Sequence, residues 1–162
     1  MAVYTKERIG EAIDYAVATV GVVKLKEQRE AIEAFVEGQD VFIALPTGYG
    51  KSYCYGLLPL VFDHLRSRPA TSIVVCVSPL TALMMVQRTK FSMKGISSEF
   101  VGELQQDLDA LRGVKKGQSQ LLFISPESLL RNAQWRGMLL SDVYQENVVA
   151  LVVDEAHCVI KW

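Results

Sequence analysis

Apolar residues follow two patterns along this chain. Near the N-terminus they recur at helical spacing. Ile9, Ile13, Val17 and Val20, with Ala16 on the same side, mark one face of a leading helix that Gly21 is placed to end. A second amphipathic helix is predicted over roughly 27–37, turning Ile32, Phe35 and Val36 inward. Beyond it the apolar positions run together. Segments 41–45, 73–77, 121–124 and 148–153 are continuous and rich in β-branched residues, and 96–101 is a weaker candidate of the same kind. Unbroken runs of this sort predict strands buried on both faces, as in a parallel sheet covered by helices. Helical patterns separate them at roughly 51–65, 80–91 and 103–112, the last with Leu104, Leu108 and Leu111 in register. Ser125, Pro126 and Glu127 read as a cap, a first-position proline and a first-turn acid. Strand and helix alternate throughout, so the pattern predicts an α/β fold with an open parallel sheet and helices on both faces.

Composition narrows this picture. A length of 162 residues suits one domain, and a chain 50% hydrophobic and 22% charged is not a disordered one. No apolar run approaches the roughly 20 residues that span a bilayer, so no membrane role is expected. The start, Met1 to Lys6, has no apolar stretch of the kind a secretory signal needs. With 17 basic and 18 acidic residues the net charge is -1, so any nucleic-acid binding must come from local patches. Cys54, Cys76 and Cys158 stand far apart with no CxxC spacing. They read as buried thiols in a reducing compartment, nuclear or cytoplasmic, and not as a disulfide framework or zinc site. His64, Arg66, Arg68 and the Lys115-Lys116 pair read as solvated surface, and Met84-Met85 as core filler.

Two segments carry chemistry. After the first apolar run comes Leu45-Pro46-Thr47-Gly48-Tyr49-Gly50-Lys51-Ser52. A glycine-rich turn between strand and helix lets backbone N–H groups converge on phosphate oxygens, and the helix start adds a favourable dipole. Lys51 is then the candidate for the β- and γ-phosphates and the Ser52 hydroxyl for Mg²⁺. The strict pattern places Gly where this chain has Leu45. The last apolar run ends in Asp154-Glu155-Ala156-His157. Parallel strands deliver their C-terminal ends to one edge, which predicts that Asp154 lies beside the phosphate loop. There Asp154 suits Mg²⁺, Glu155 suits orienting and deprotonating a water, and His157 suits linking the site to a second ligand.

In these motifs the chain resembles superfamily 2 helicases, specifically the RecQ branch. Residues 45–52 look like motif I, and Asp154-Glu155-Ala156-His157-Cys158 like motif II. Ser78-Pro79-Leu80-Thr81-Ala82-Leu83-Met84-Met85-Val86-Gln87 is similar to motif Ia, and Ile124-Ser125-Pro126-Glu127-Ser128-Leu129 to motif Ib. The likeness covers roughly 25–162, leaving 1–24 as a leading helix. It implies a RecA-like lobe, the first of two, that binds ATP and Mg²⁺ through Thr47, Gly48, Tyr49, Gly50, Lys51 and Ser52. It implies that Gln28 reads adenine, although Gly21 and Leu25 stand where the family places its base-clamping aromatic and arginine. It also implies DNA contact through Ser78, Pro79 and Ser125, with Trp162 opening an aromatic loop that couples DNA to hydrolysis.

The full-length enzyme so implied couples ATP hydrolysis to 3′-to-5′ movement on single-stranded DNA, in repair or recombination. This chain alone, without a second lobe to supply an arginine, is expected to be inactive in unwinding. Two other readings use the same residues. A small-molecule kinase shares the phosphate loop but needs an arginine-bearing lid, and no such cluster is visible. A non-catalytic nucleotide- or DNA-binding scaffold fits a lobe that works without its partner, although Lys51, Ser52, Asp154 and Glu155 are all retained.

Overall fold

A computed structural model describes residues 4–22, 25–46 and 48–156. Four strands, β1 (Ile73–Val77), β2 (Ser98–Val101), β3 (Leu121–Ile124) and β4 (Val148–Val153), form one parallel sheet in the order β2-β3-β1-β4. Side chains alternate between the faces of a strand, and here each face has its own core. Val74, Cys76, Leu121 and Phe123 pack with α1 (Lys6–Val20), α2 (Lys26–Val36), α3 (Tyr53–Gly56), α4 (Leu58–Arg66) and α5 (Thr81–Met93). Ile73, Val75, Val77, Leu122 and Ile124 pack against Val114 of α6 (Leu108–Lys115), Trp135 and Met138 of α8 (Ala133–Leu140) and Tyr144 of α9 (Asp142–Asn147). Burying each such aliphatic side chain contributes about 1.5–3 kcal/mol. The α/β layering with helices on both faces is the one the unbroken apolar runs predict.

Helix ends follow the local chemistry. Thr5 caps α1, and Gly21 ends it in the left-handed region at φ 77°. Ser125 caps the short α7 (Pro126–Arg131), its hydroxyl accepting from the Ser128 N–H. The helix expected over 51–65 is two helices, α3 and α4, meeting at Leu57. Pro59 has no N–H to give to Tyr55, so the ladder cannot run through. The helix expected over 103–112 starts only at Leu108, because the Asp107 carboxylate takes the Asp109 and Ala110 N–H groups. Leu104 and Leu108 are therefore exposed and do not form a buried stripe.

Two strand expectations are corrected. Segment 41–45 is not a strand of the sheet, and no ladder partner for it exists among the described residues. A ladder needs a neighbour about 4.8 Å away. Instead a cavity of about 500 Å³ lies between Val41, Phe42 and Ile43 on one wall and Leu151, Val152 and Val153 of β4 on the other. For the same reason β4 is not buried on both faces. It is an edge strand of the described sheet, with Leu151 65% and Val153 42% exposed. The weak candidate at 96–101, by contrast, forms β2.

Candidate nucleotide site

The glycine-rich loop leads from residue 46 into α3. Gly48 and Gly50 adopt φ values of 88° and 75°, in the left-handed region that a side chain resists. A Cβ at Gly50 would also crowd the Gln28 amide at 3.1 Å and the Tyr53 ring at 3.3 Å. Tyr49 is exposed, and Thr47 lies outside the described residues. The loop carries Lys51, half-exposed, and Ser52, which is buried.

Asp154 reaches this loop from the end of β4. Its backbone N–H donates to Val77 of β1, which fixes where the sheet edge delivers it. Lys51 Nζ lies 3.4 Å from Asp154 Oδ1 and 3.9 Å from Glu155 Oε1. The structure thus brings together Lys51, Asp154 and Glu155 at the sheet's C-terminal edge, with Ser52 following Lys51 in the chain. Glu155 holds a φ of 53°, a left-handed conformation unusual for a non-glycine residue, and its N–H donates to Asp154 Oδ1 at 3.0 Å. His157 and Trp162 lie outside the described residues.

Gln28 sits on α2 with its amide turned toward the loop. Its Nε2 donates to the Tyr49 carbonyl and, at 3.4 Å, to the Gly50 carbonyl. Its Oε1 is buried with no hydrogen-bond partner among the described residues. A buried amide oxygen costs free energy until a donor reaches it.

Ser52 has a neighbour that sequence pattern did not reveal. Lys90 Nζ of α5 donates to Ser52 Oγ at 2.8 Å and lies 4.1 Å from the Tyr53 ring centroid. Partial burial, with the nearby Lys94 charge, lowers the Lys90 pKa from its ordinary value. The visible signal was Lys90 and Lys94 one turn apart on one helix, a like-charge pair that needs a reason.

The Ia and Ib residues are placed differently from the loop. Ser78 and Ser125 are buried, and their N–H groups are spent in the sheet, on Ile124 and Val101 respectively. Pro79 is half-exposed at the entry to α5. No hydroxyl of this pair faces solvent in the described structure. Among the described residues no group of three or more His, Cys, Asp and Glu gathers as a metal cluster. No described helix is long and apolar enough to cross a membrane.

A parallel sheet sandwiched between helices, with Lys51 of a glycine loop meeting Asp154 at its C-terminal edge, defines a RecA-like nucleotide-binding lobe. The chain belongs to the DEAD/DEAH box helicase family, whose profile matches residues 25–162. It is 33% identical over 140 residues to the "ATP-dependent DNA helicase RecQ" of Haemophilus influenzae, covering 85% of this chain and 20% of that protein. It is 36% identical over 143 residues to the "ATP-dependent DNA helicase hus2/rqh1" of Schizosaccharomyces pombe, covering 85% and 10%. Against the "ATP-dependent helicase SGS1" of Saccharomyces cerevisiae the figures are 34% over 139 residues, 83% and 9%. The chain is RecQ-like, and it spans a fifth or less of the length of these relatives.

Proposed function

We propose that this chain is the ATP-binding lobe of an ATP-dependent DNA helicase of RecQ type, and that residues 25–162 carry its motifs behind a leading helix within 1–24. The observation that carries the reading is Lys51 Nζ standing 3.4 Å from Asp154 Oδ1, the phosphate-binding cation beside the metal-binding acid. Gln28 supports it, because the unpartnered Oε1 is an acceptor suited to an adenine amino group.

The donor set also suits Mg²⁺. Ser52 Oγ and the Asp154 carboxylate are oxygen ligands of the kind a hard cation takes. An ammonium group stands on each of them, Lys90 on Ser52 and Lys51 on Asp154. When bound, Mg²⁺ neutralises charge on the phosphate oxygens. Lys51 exchanges the two carboxylates for the β- and γ-phosphates. Glu155 orients a water and accepts its proton as the oxygen attacks the terminal phosphorus, the bond from that phosphorus to the β–γ bridging oxygen breaking to release ADP and inorganic phosphate. His157 is the candidate for linking the site to a ligand on the same edge.

In the whole protein, hydrolysis drives 3′-to-5′ movement on single-stranded or forked DNA, with Ser78, Pro79, Ser125 and Trp162 as the proposed DNA-contacting residues. For the buried Ser125 this contact runs through the start of α7, which its hydroxyl caps, since a helix N-terminus attracts phosphate; the buried Ser78 hydroxyl has no hydrogen-bond partner among the described residues and is free to accept or donate one. The 162-residue chain alone binds Mg-nucleotide weakly if at all, and neither unwinds DNA nor turns over ATP at a useful rate. A second lobe's arginine supplies about 10³ to 10⁵ in rate in related nucleotidases. Calorimetric titration with ATP and Mg²⁺, beside Lys51→Ala, tests the reading. Saturable binding lost in the variant supports it. No binding by folded wild type favours the scaffold reading, and DNA-stimulated turnover by the chain alone overturns the predicted inactivity.

A further inference from the structure

We propose that Lys90 is a second phosphate-binding cation of this site, one that donates to Ser52 Oγ in this structure and passes to a nucleotide phosphate oxygen when nucleotide binds. The inference rests on the reading of 45–52 as a phosphate loop. It starts from an ammonium without an anion. Lys90 is half-buried, and no carboxylate pairs with it among the described residues. Of its three N–H donors, one goes to Ser52 Oγ at 2.8 Å. The ring faces of Tyr53 and Phe91, with centroids 4.1 and 5.1 Å from Nζ, hold the charge in place. Lys94 adds a second ammonium, 5.8 Å from the Tyr53 centroid.

A partly desolvated cation is costly unless something anionic completes it. The position says what that anion is. Ser52 directly follows Lys51, so an ammonium one hydrogen bond from Ser52 Oγ stands at the wall of the phosphate cradle. Tyr53, the first residue of α3, carries the ring beneath it. Moving Nζ from the hydroxyl to a phosphate oxygen exchanges a neutral acceptor for a charged one, which is the stronger bond. It also frees a lone pair on Ser52 for the metal.

The test titrates ADP and adenosine into the 162-residue chain without metal, comparing wild type, Lys90→Met and Lys51→Ala. Methionine keeps much of the apolar stem and removes the charge. The expected result is an ADP affinity lower by about tenfold in Lys90→Met, with adenosine affinity unchanged. ADP binding that is unchanged or tighter overturns the inference, as does equal weakening of ADP and adenosine. If wild type and Lys90→Met bind ADP alike while Lys51→Ala does not, Lys90 alone has been misread. If wild type binds neither ligand, the phosphate-loop reading fails and the inference with it. A second measurement needs no variant: ADP, but not adenosine, should slow acetylation of the Lys90 amine in wild type, read by peptide mass spectrometry. Equal labelling with and without ADP speaks against the contact.

Discussion

Gly56 of α3 packs against the ring of Phe91 of α5, so close that a Cβ at 56 would stand 2.2 Å from both Cε1 and Cζ. Phe91 is wholly buried and its ring also meets Tyr53 and Tyr55. It cannot swing away. The contact matters beyond packing, because Ser52 precedes α3 and Lys90 neighbours Phe91. The approach of the two helices sets the Lys90–Ser52 distance. Gly56→Ala should therefore cost about 1–3 kcal/mol, lowering the melting temperature by roughly 2–4 °C for each kcal/mol. Phe91→Leu in the Gly56→Ala background should recover part of the loss. Thermal melts of the three proteins decide it, and an unchanged melting temperature for Gly56→Ala would contradict the packing described.

Asp63 ties three separate segments together from a buried position on α4. Its carboxylate accepts from the N–H groups of Ala70, Thr71 and Ser72 at 2.9, 3.3 and 2.8 Å, and from Gln120 Nε2 at 2.6 Å. These bonds hold the turn before β1 and the entry to β3, and they keep Ala70 at a φ of 58°. Asp63→Ala strands several donors at once and should cost about 3 kcal/mol. Asp63→Asn keeps an acceptor but turns an NH₂ toward the donors, so it should recover little. Urea unfolding of both variants checks this. A loss under about 0.5 kcal/mol would mean that water replaces the carboxylate.

Much of this architecture was legible because burial on both faces leaves a continuous apolar run. β1, β3 and the helices between them follow from that pattern, as does the cap at Ser125. The approach of Lys51 to Asp154 is expected because parallel strands share an edge; the two do meet, although 41–45, which leads into the loop, is not a strand of the described sheet. Segment 41–45 has the same composition as a strand, yet composition cannot supply the neighbour a ladder requires. Its facing edge, β4, stands across a cavity. Likewise Leu104 and Leu108 keep helical spacing, but Asp107 fixes the start of α6, leaving Leu104 ahead of the helix and Leu108 exposed in its first turn. Lys90 was hidden for another reason. Its partner Ser52 is distant in sequence, and only the seating of α5 on α3 through Phe91 and Gly56 joins them.

Burial of four acidic groups gives the fold a predictable alkaline limit. Burial pushes the Cys54 thiol from 9.0 up to about 11, and raises Cys76 well above 9.0, with Asp154 adding to the effect. The Tyr55 and Tyr144 hydroxyls are likewise raised by burial. All four are held protonated in the folded state. As pH passes about 9 the unfolded thiols ionise first, so the unfolded chain binds fewer protons and stability falls. The urea midpoint should be flat from about pH 7 to 8 and decline between about pH 9 and 11. Cys54→Ala should make that decline shallower. Native thiols 54 and 76 should also resist an aromatic disulfide reagent at pH 8 in a Cys158→Ser background, both reacting after denaturation. A flat midpoint up to pH 10.5 would contradict the assignment.

Lys51 held by Asp154 and Glu155 predicts a result whose sign depends on the metal. Without Mg²⁺, nucleotide phosphates and these carboxylates compete for one ammonium, and the acids repel the phosphates as well. Asp154→Asn removes one competitor and one repulsion. Metal-free ADP should bind a few-fold more tightly, the modest size reflecting a Lys51 side chain that is 40% exposed and partly screened. With Mg²⁺ the same change should weaken binding relative to wild type, because it removes the anionic oxygen proposed to hold the metal. The curves for wild type and variant should therefore cross as Mg²⁺ is added to an ADP titration. Parallel curves would show that Asp154 acts on Lys51 alone. Weakening at every Mg²⁺ concentration would show that Asp154 shapes the loop and not its charge.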